Sequence, residues 1–168
     1  WRPCDGVETV FAWQSAVENN AGPTALVFSR QGLGTLERNE AQFAGIARGA
    51  YVLFESDDEP ENIMIATGSE VALALEAARV LVEDGISVRL VSMPSVEVFE
   101  SQDESYRESV LPSATRRRVA VEAGHVDYWR KWVGLDGDVI GMTSFGASAP
   151  GGALFDHFGF TVDTVVQA

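Results

Sequence analysis

Asn62-Ile-Met-Ile-Ala66, Thr67-Gly-Ser-Glu70, the run from Val71 to Glu83, Asp84-Gly85 and Ser87-Val-Arg-Leu-Val-Ser-Met93 together decide the fold. The first run is short, apolar and bounded by polar residues, which is the pattern of a fully buried strand. Thr67-Gly68-Ser69-Glu70 breaks it, and Thr67 and Glu70 have the spacing of a capping box, so a helix is expected to open here and run to about Glu83. Asp84-Gly85 stops that helix, and Ser87–Met93 is strand again. A strand, a helix and a second strand at this spacing form a βαβ unit, whose strands lie parallel in one sheet.

Working outward, Tyr51–Phe54 reads as a strand, followed by a turn at Asp57-Asp58-Glu59-Pro60. That turn is too short for a crossover, so this strand is expected to be antiparallel. Downstream, Pro94–Val110 is loop and short helix, Arg118–Glu122 a strand, Val126–Val133 a helix and Val139–Met142 a last strand. Helices are expected at about Pro150–Phe158 and from Val162. The predicted class is α/β: a mostly parallel open sheet with one antiparallel edge strand. Ahead of it, Asp5 is placed to cap a helix over Gly6–Asn19, the Asn19–Pro23 cluster ends that helix, and Thr24–Ser29 reads as a short buried strand. Gln31–Gly49 has no strong period and reads as a linker with one helical turn around Ala41–Ala47. The chain thus divides into residues 1–49 and residues 50–168.

The charge narrows the partners. The chain carries 25 acidic against 12 basic residues, a net charge of −13. Nucleic acid and anionic membranes need clustered positive charge, so both are excluded as partners. No apolar stretch approaches the roughly 18–20 residues that span a bilayer. Cys4 is the single cysteine, so no intrachain disulfide forms, and a reducing cytoplasmic setting is expected.

Against that negative background Arg30 stands out. It follows Ala25-Leu-Val-Phe28 within Ser29-Arg30-Gln31, which puts a permanent cation at the carboxyl end of the expected strand. Open α/β sheets take ligands at that end, and the planar guanidinium fork binds two oxygens of a phosphate or carboxylate at once. Other motifs carry less. Gly32-Leu-Gly34 lacks the third glycine of a dinucleotide fingerprint. Thr67-Gly-Ser69 at a helix start could hold an anion but is also a plain turn. Gly134-Leu-Asp-Gly-Asp138 lacks the further ligands of a metal loop. His125, after Glu122-Ala-Gly124 at a strand end, is a secondary site candidate, whereas His157 reads as helix surface. Arg116-Arg-Arg118 reads as the solvated entry to a strand, and Tyr128, Trp129 and Trp132 as core or interface.

Several segments resemble transketolase. They are Trp1-Arg-Pro-Cys-Asp5, Gly22-Pro-Thr-Ala-Leu26, Ser29-Arg-Gln31, Ala47-Arg-Gly49, Ala66-Thr-Gly-Ser-Glu-Val71 and Val91-Ser-Met-Pro-Ser95. Tyr106–Pro112, Arg118–Gly124, Gly141–Gly146 and Phe158–Val162 continue the match in order over nearly the whole chain. The resemblance implies that residues 1–49 are the C-terminal, helix–strand remnant of a thiamine-binding (pyrimidine-binding) domain with a linker. Residues 50–168 would then be the transketolase C-terminal domain. It also implies a homodimeric enzyme transferring a two-carbon ketol unit between sugar phosphates in the pentose phosphate pathway, with thiamine diphosphate and Mg²⁺ as cofactors. In the family the arginine of Ser-Arg-Gln grips the substrate phosphate, and that role transfers to Arg30; no catalytic, cofactor or metal residue transfers. Trp1 stands where an initiator Met is absent, so the chain is expected to be a piece of a longer one, inactive and cofactor-free alone, with residues 1–49 less stable than the rest. The alternatives are a regulatory anion site at Thr67–Glu70 or Glu122–His125, or a structural dimerisation domain of a related thiamine enzyme such as dihydroxyacetone synthase or deoxyxylulose-phosphate synthase.

Overall fold

A computed structural model describes residues 1–57 and 59–168. The turn read at Asp57–Pro60 includes Asp58, which lies outside the described residues. The βαβ unit forms where the sequence places it: β2 is Asn62–Ala66, α3 is Glu70–Glu83 and β3 is Val88–Ser92. The helix buries Val71, Ala74, Ala77, Ala78 and Leu81, a stripe of three- and four-residue steps that faces the sheet. Gly85 ends it in a left-handed conformation, φ 79°, which glycine adopts without steric cost.

The five strands run in the order β1-β3-β2-β4-β5. Here β1 is Tyr51–Glu55, β4 is Arg117–His125 and β5 is Asp138–Met142. β2 pairs parallel with β3 and β4, and β4 parallel with β5. β1 is antiparallel, as expected, but its partner is β3 and not the strand that follows it in sequence. Since β2 and β3 are parallel, inserting β3 between the two keeps β1 and β2 opposed. Side chains alternate across β2: Ile63 and Ile65 enter one apolar cluster with Val91, Phe99, Trp129 and Val133, and Met64 and Ala66 enter the other with α3, Val121 and Phe160. Both faces of the sheet are therefore covered, one by α4 (Val96–Glu100), α5 (Glu104–Val110) and α6 (Arg130–Val133), the other by α3 and by α8 (Val162–Gln167).

Ahead of the sheet, α1 spans Gly6–Glu18, with the Asp5 side chain accepting the Glu8 amide as its cap. α2 spans Glu40–Ile46 and opens with a capping box between Asn39 and Gln42. The Gln42 side-chain nitrogen also donates to the carbonyls of Val52 (3.0 Å) and Leu53 (2.8 Å), at the irregularity where β1 shifts register against β3.

Two local expectations fail. Thr24–Ser29 is extended but is not a strand, and Val27 and Phe28 are exposed. Among the described residues its backbone pairs only with Trp1, through Val27 N to Trp1 O and Trp1 N to Ala25 O (both 2.8 Å). Two bonds to one residue do not make a ladder. The capping box at Thr67 and Glu70 is also absent: Ser69 is the N-cap, without a side-chain cap bond. Both side chains are diverted to Arg2, whose carbonyl accepts from the Thr67 hydroxyl at 3.1 Å and whose guanidinium pairs with Glu70.

The linker is anchored more firmly than its composition implies. Arg38, with its side chain fully buried, donates to Asp5 Oδ2 (2.7 Å) and the Tyr51 hydroxyl (2.6 Å). Glu8, also fully buried, accepts from the Cys4 amide, the Tyr51 hydroxyl and the Ser92 hydroxyl at 2.6–2.9 Å. Each buried charge is thus paired or hydrogen-bonded, as burial requires. The network ties α1 and residues 31–39 to β1 and β3.

Candidate functional site at the carboxyl edge of the sheet

Strand order reverses at β2: the chain moves to β3 on one side and then to β4 on the other. Open α/β sheets bind ligands at such a point, outside the carboxyl ends of the strands. In this chain that crevice is filled from within. The Arg2 guanidinium bonds the Thr67 carbonyl and pairs with Glu70, and its Nε lies 3.7 Å from Glu122 Oε1. Glu122 in turn accepts from the Trp129 indole at 2.6 Å. Gly68 N donates to the Arg2 carbonyl at 3.0 Å. The Gly68 backbone has φ +59°, and a Cβ there would fall 2.6 Å from the guanidinium carbon. Only glycine admits Arg2 at this distance. The two segments considered as anion sites, Thr67–Glu70 and Glu122–His125, are therefore acidic and hold a cation of the same chain.

Beside the filled crevice a groove of about 560 Å³ remains open. The loop Ser29–Gln31 forms one wall, the ends of β4 and β5 with residues 144–147 another, and α7 (Gly151–Phe158) a third. Arg30 lies on this groove, exposed, with no carboxylate within ion-pair distance among the described residues. It does not stand at the end of its own strand, because that strand does not form. Instead it borders the carboxyl edge of the neighbouring sheet. His125 lines the same groove, and its Nδ1 accepts weakly from the Asp127 amide at 3.4 Å. Gln31 approaches the start of α7, its side chain 3.5 Å from where a Cβ on Gly151 would lie.

The remaining motifs resolve into structure. Asp136 of the glycine–aspartate turn pairs with Arg116 at 2.8 Å, with both side chains mostly exposed. Arg118 donates to the carbonyls of Pro112, Thr115 and Trp132 at 2.8–3.0 Å, pinning the entry to β4; burial pushes its pKa down. Trp129 is buried, Trp132 packs on Phe99, and Tyr128 is half exposed. His157 stands on the surface of α7 against Phe158. Sequence reasoning missed Arg2. Its signal was a basic residue two positions before a buried Cys-Asp pair, which by itself has no fixed meaning.

A five-stranded α/β domain with this order, preceded by a helix and an extended segment folded against it, defines a recognisable class. A family model described as the Transketolase-like TK C-terminal domain matches residues 49–161, and the chain belongs to the transketolase family. It is 58% identical over 166 residues to transketolase 1 of Escherichia coli (strain K12), covering 99% of this chain and 25% of that protein. It is 56% identical over 167 residues to transketolase 2 of Aliivibrio fischeri, with the same coverage of 99% and 25%. Among solved structures, a Pichia stipitis transketolase complex with sedoheptulose-7-phosphate superposes with a TM-score of 0.89 at 36% identity, covering 99% of this chain and 24% of that one. Transketolase from Leishmania mexicana gives 0.85 at 38% identity, with the same coverage of 99% and 24%. The chain thus spans about a quarter of the length of the relatives it matches.

Proposed function

We propose that this chain is the C-terminal part of a transketolase, a transferase moving a two-carbon ketol unit between sugar phosphates, and that Arg30 binds the substrate phosphate. One observation carries the role of Arg30: an exposed guanidinium with no carboxylate partner among the described residues borders an open groove in a chain of net charge −13. Elsewhere on such a surface a phosphorylated sugar meets repulsion, so this cation supplies both attraction and a bidentate fork. The phosphate is remote from the reacting carbonyl, and holding it fixes where the sugar sits. The regulatory alternative is not favoured, since Arg2 fills the crevice it requires.

In the same reading, residues 1–49 belong to the pyrimidine-binding domain and residues 50–168 form the C-terminal domain. The outward faces of α1 and of residues 24–29 support this. Val10, Trp13, Val17, Val27 and Phe28 are exposed there, with Trp13 stacked on Phe28, as suits surface that packs on further chain. Family membership implies thiamine diphosphate and Mg²⁺ in the full-length enzyme, and the fit can be tested here for the metal alone. No group of three or more His, Cys, Asp or Glu among the described residues could hold a metal ion, and no side chain of this piece is assigned to either cofactor. A homodimer in the cytoplasm completes the proposal. The buried, unpaired Cys4 suits a reducing compartment, and among the described residues no helix is long and apolar enough to cross a membrane.

The test is Arg30→Ala in the full-length enzyme. Losing a charge-assisted phosphate contact costs about 1.5–3 kcal/mol, which at about 1.4 kcal/mol per factor of ten weakens phosphorylated substrates by roughly 10- to 100-fold. Lysine restores part of the affinity, having the charge without the fork. Equal losses on phosphorylated and unphosphorylated donors would make Arg30 structural and overturn the proposal.

A further inference from the structure

We propose that the amino edge of the sheet carries a second binding site, built from Arg116, Arg118, Lys131 and Trp132, for a phosphate-type oxyanion. Residues 50–168 hold 8 basic against 20 acidic side chains, and five of those eight fall within Arg116–Lys131. So tight a group of cations is a local exception on a surface that otherwise repels anions. The fold gathers them: Arg116–Arg118 lead into β4, and α6 with residues 134–136 returns beside that entry. A cavity of about 250 Å³ lies between, lined by Ser113, Arg116, Arg118, Lys131, Trp132 and Asp136 among others. A water takes about 30 Å³ in the liquid, so a tetrahedral phosphate has room. Arg30 lies near His125, at the other end of β4. At about 3.3 Å per residue the strand separates the two places by roughly 25 Å, too far for a single sugar phosphate to touch both.

The cavity is short of negative charge. Arg118 is held by neutral groups, the carbonyls of Pro112, Thr115 and Trp132 at 2.8–3.0 Å. No carboxylate is within ion-pair distance of it among the described residues. Glu108, nearby, is engaged by the Ser113 amide and hydroxyl at 2.6 and 2.8 Å. Carbonyl dipoles orient a guanidinium but leave its net charge uncompensated, and burial makes that charge costly. Arg116 and Lys131 pair with Asp136 and Glu100, mostly in the open. Exposed pairs of this kind contribute little in water, so a phosphate dianion can displace them. Trp132 adds a donor: its indole N–H is buried with no acceptor among the described residues, a costly state that an oxyanion oxygen relieves.

The test is equilibrium dialysis of labelled inorganic phosphate against the full-length holoenzyme carrying Arg30→Ala, which removes the contact proposed at the other edge. Arg118 pins the entry to β4 and is left alone. Arg116→Gln with Lys131→Gln changes only exposed side chains, and Trp132→Phe removes the donor while keeping the ring. The double variant is expected to weaken phosphate binding on the order of 10-fold or more, and Trp132→Phe several-fold. Ketol transfer from an unphosphorylated donor should stay unchanged in both. Displacement of the label by glycerol phosphate would assign the site to the phosphoryl group of an ester, and displacement by unlabelled phosphate alone to the free ion; both support an oxyanion site. Binding that is absent, or equal with and without Arg116 and Lys131, would overturn it. So would displacement by chloride at matched ionic strength, which would show mere screening of a basic patch.

Discussion

Asp5 shows how a single carboxylate can be read correctly from sequence and still hold more than the reading contained. Its place before an apolar helical pattern identifies it as a cap, and its side chain does accept the Glu8 amide. Burial alone would raise its pKa, but hydrogen bonds from Arg38 and from the amides of Glu8 and Leu36 outweigh that and hold it below its ordinary 3.8. A depressed carboxyl contributes stability that is complete above its unfolded pKa and lost as pH falls through the folded one. Asp5→Asn should therefore be less stable by about 1.5–3 kcal/mol near neutrality, the worth of a hydrogen bond to a charged group. That gap should close as urea midpoints are taken below pH 3.8. A gap that is constant with pH would show that the charge on Asp5 is irrelevant. Cys4, against the same network, is pushed well above its ordinary range by burial and by the carboxylates of Glu8 and Asp5, so it stays a thiol. Gly68→Ala tests the opposite kind of residue. Left-handed backbone costs a non-glycine residue roughly 1–2 kcal/mol, and the new methyl must also displace Arg2. The loss, read by thermal unfolding, should exceed the backbone figure alone, and a neutral substitution would mean that Arg2 is loosely held.

At the scale of elements, periodicity was a good guide wherever the pattern reported burial on this chain's own sheet. β2, α3 and β3 lie within a residue or two of their expected bounds because the apolar run, the helical stripe and the Gly85 stop agree with one another. Thr24–Ser29 has an equally apolar pattern and forms no strand, because among the described residues only Trp1 pairs with its backbone, too little to complete a ladder. The false capping box failed for a related reason: Thr67 and Glu70 are bonded by a residue 60 and more positions away, and spacing within a motif carries no information about so distant a partner. The choice of β3 over β2 as neighbour to β1 was likewise invisible, since orientation follows from loop length and adjacency does not. The general expectation that residues 1–49 are the less stable part narrows accordingly. The base of α1 is tied to β1 and β3 through Glu8, whereas Thr24–Ser29 has two backbone bonds to one residue. Hydrogen exchange should show Val27 opening well before Ile65, with the α1 amides nearest Glu8 protected nearly as long as the sheet. Uniform exchange across residues 1–29 would contradict that division.

For the molecule as a whole, the site was legible only in part. Arg30 could be singled out because a lone cation near an apolar segment is conspicuous in so acidic a chain. Its true setting could not be foreseen, since the groove is assembled from β4, β5 and α7, all distant in sequence. The β1 edge bears on how this molecule avoids others like it. A sheet ending in β1 exposes a row of backbone groups that invites a foreign strand to add on. The irregularity at Leu53 turns two successive carbonyls toward Gln42, which occupies both. Its oxygen meanwhile accepts the Asn39 amide at 2.9 Å to start α2. A single amide group thus serves helix initiation with one atom and occupies two edge carbonyls with the other, and the two duties can be separated. Gln42→Glu keeps the acceptor for Asn39 but sets a negative charge against two carbonyls. Helix content should persist while the uncovered edge becomes adhesive, which would appear as concentration-dependent growth of β-rich aggregates, seeded by the variant and resisted by the parent chain.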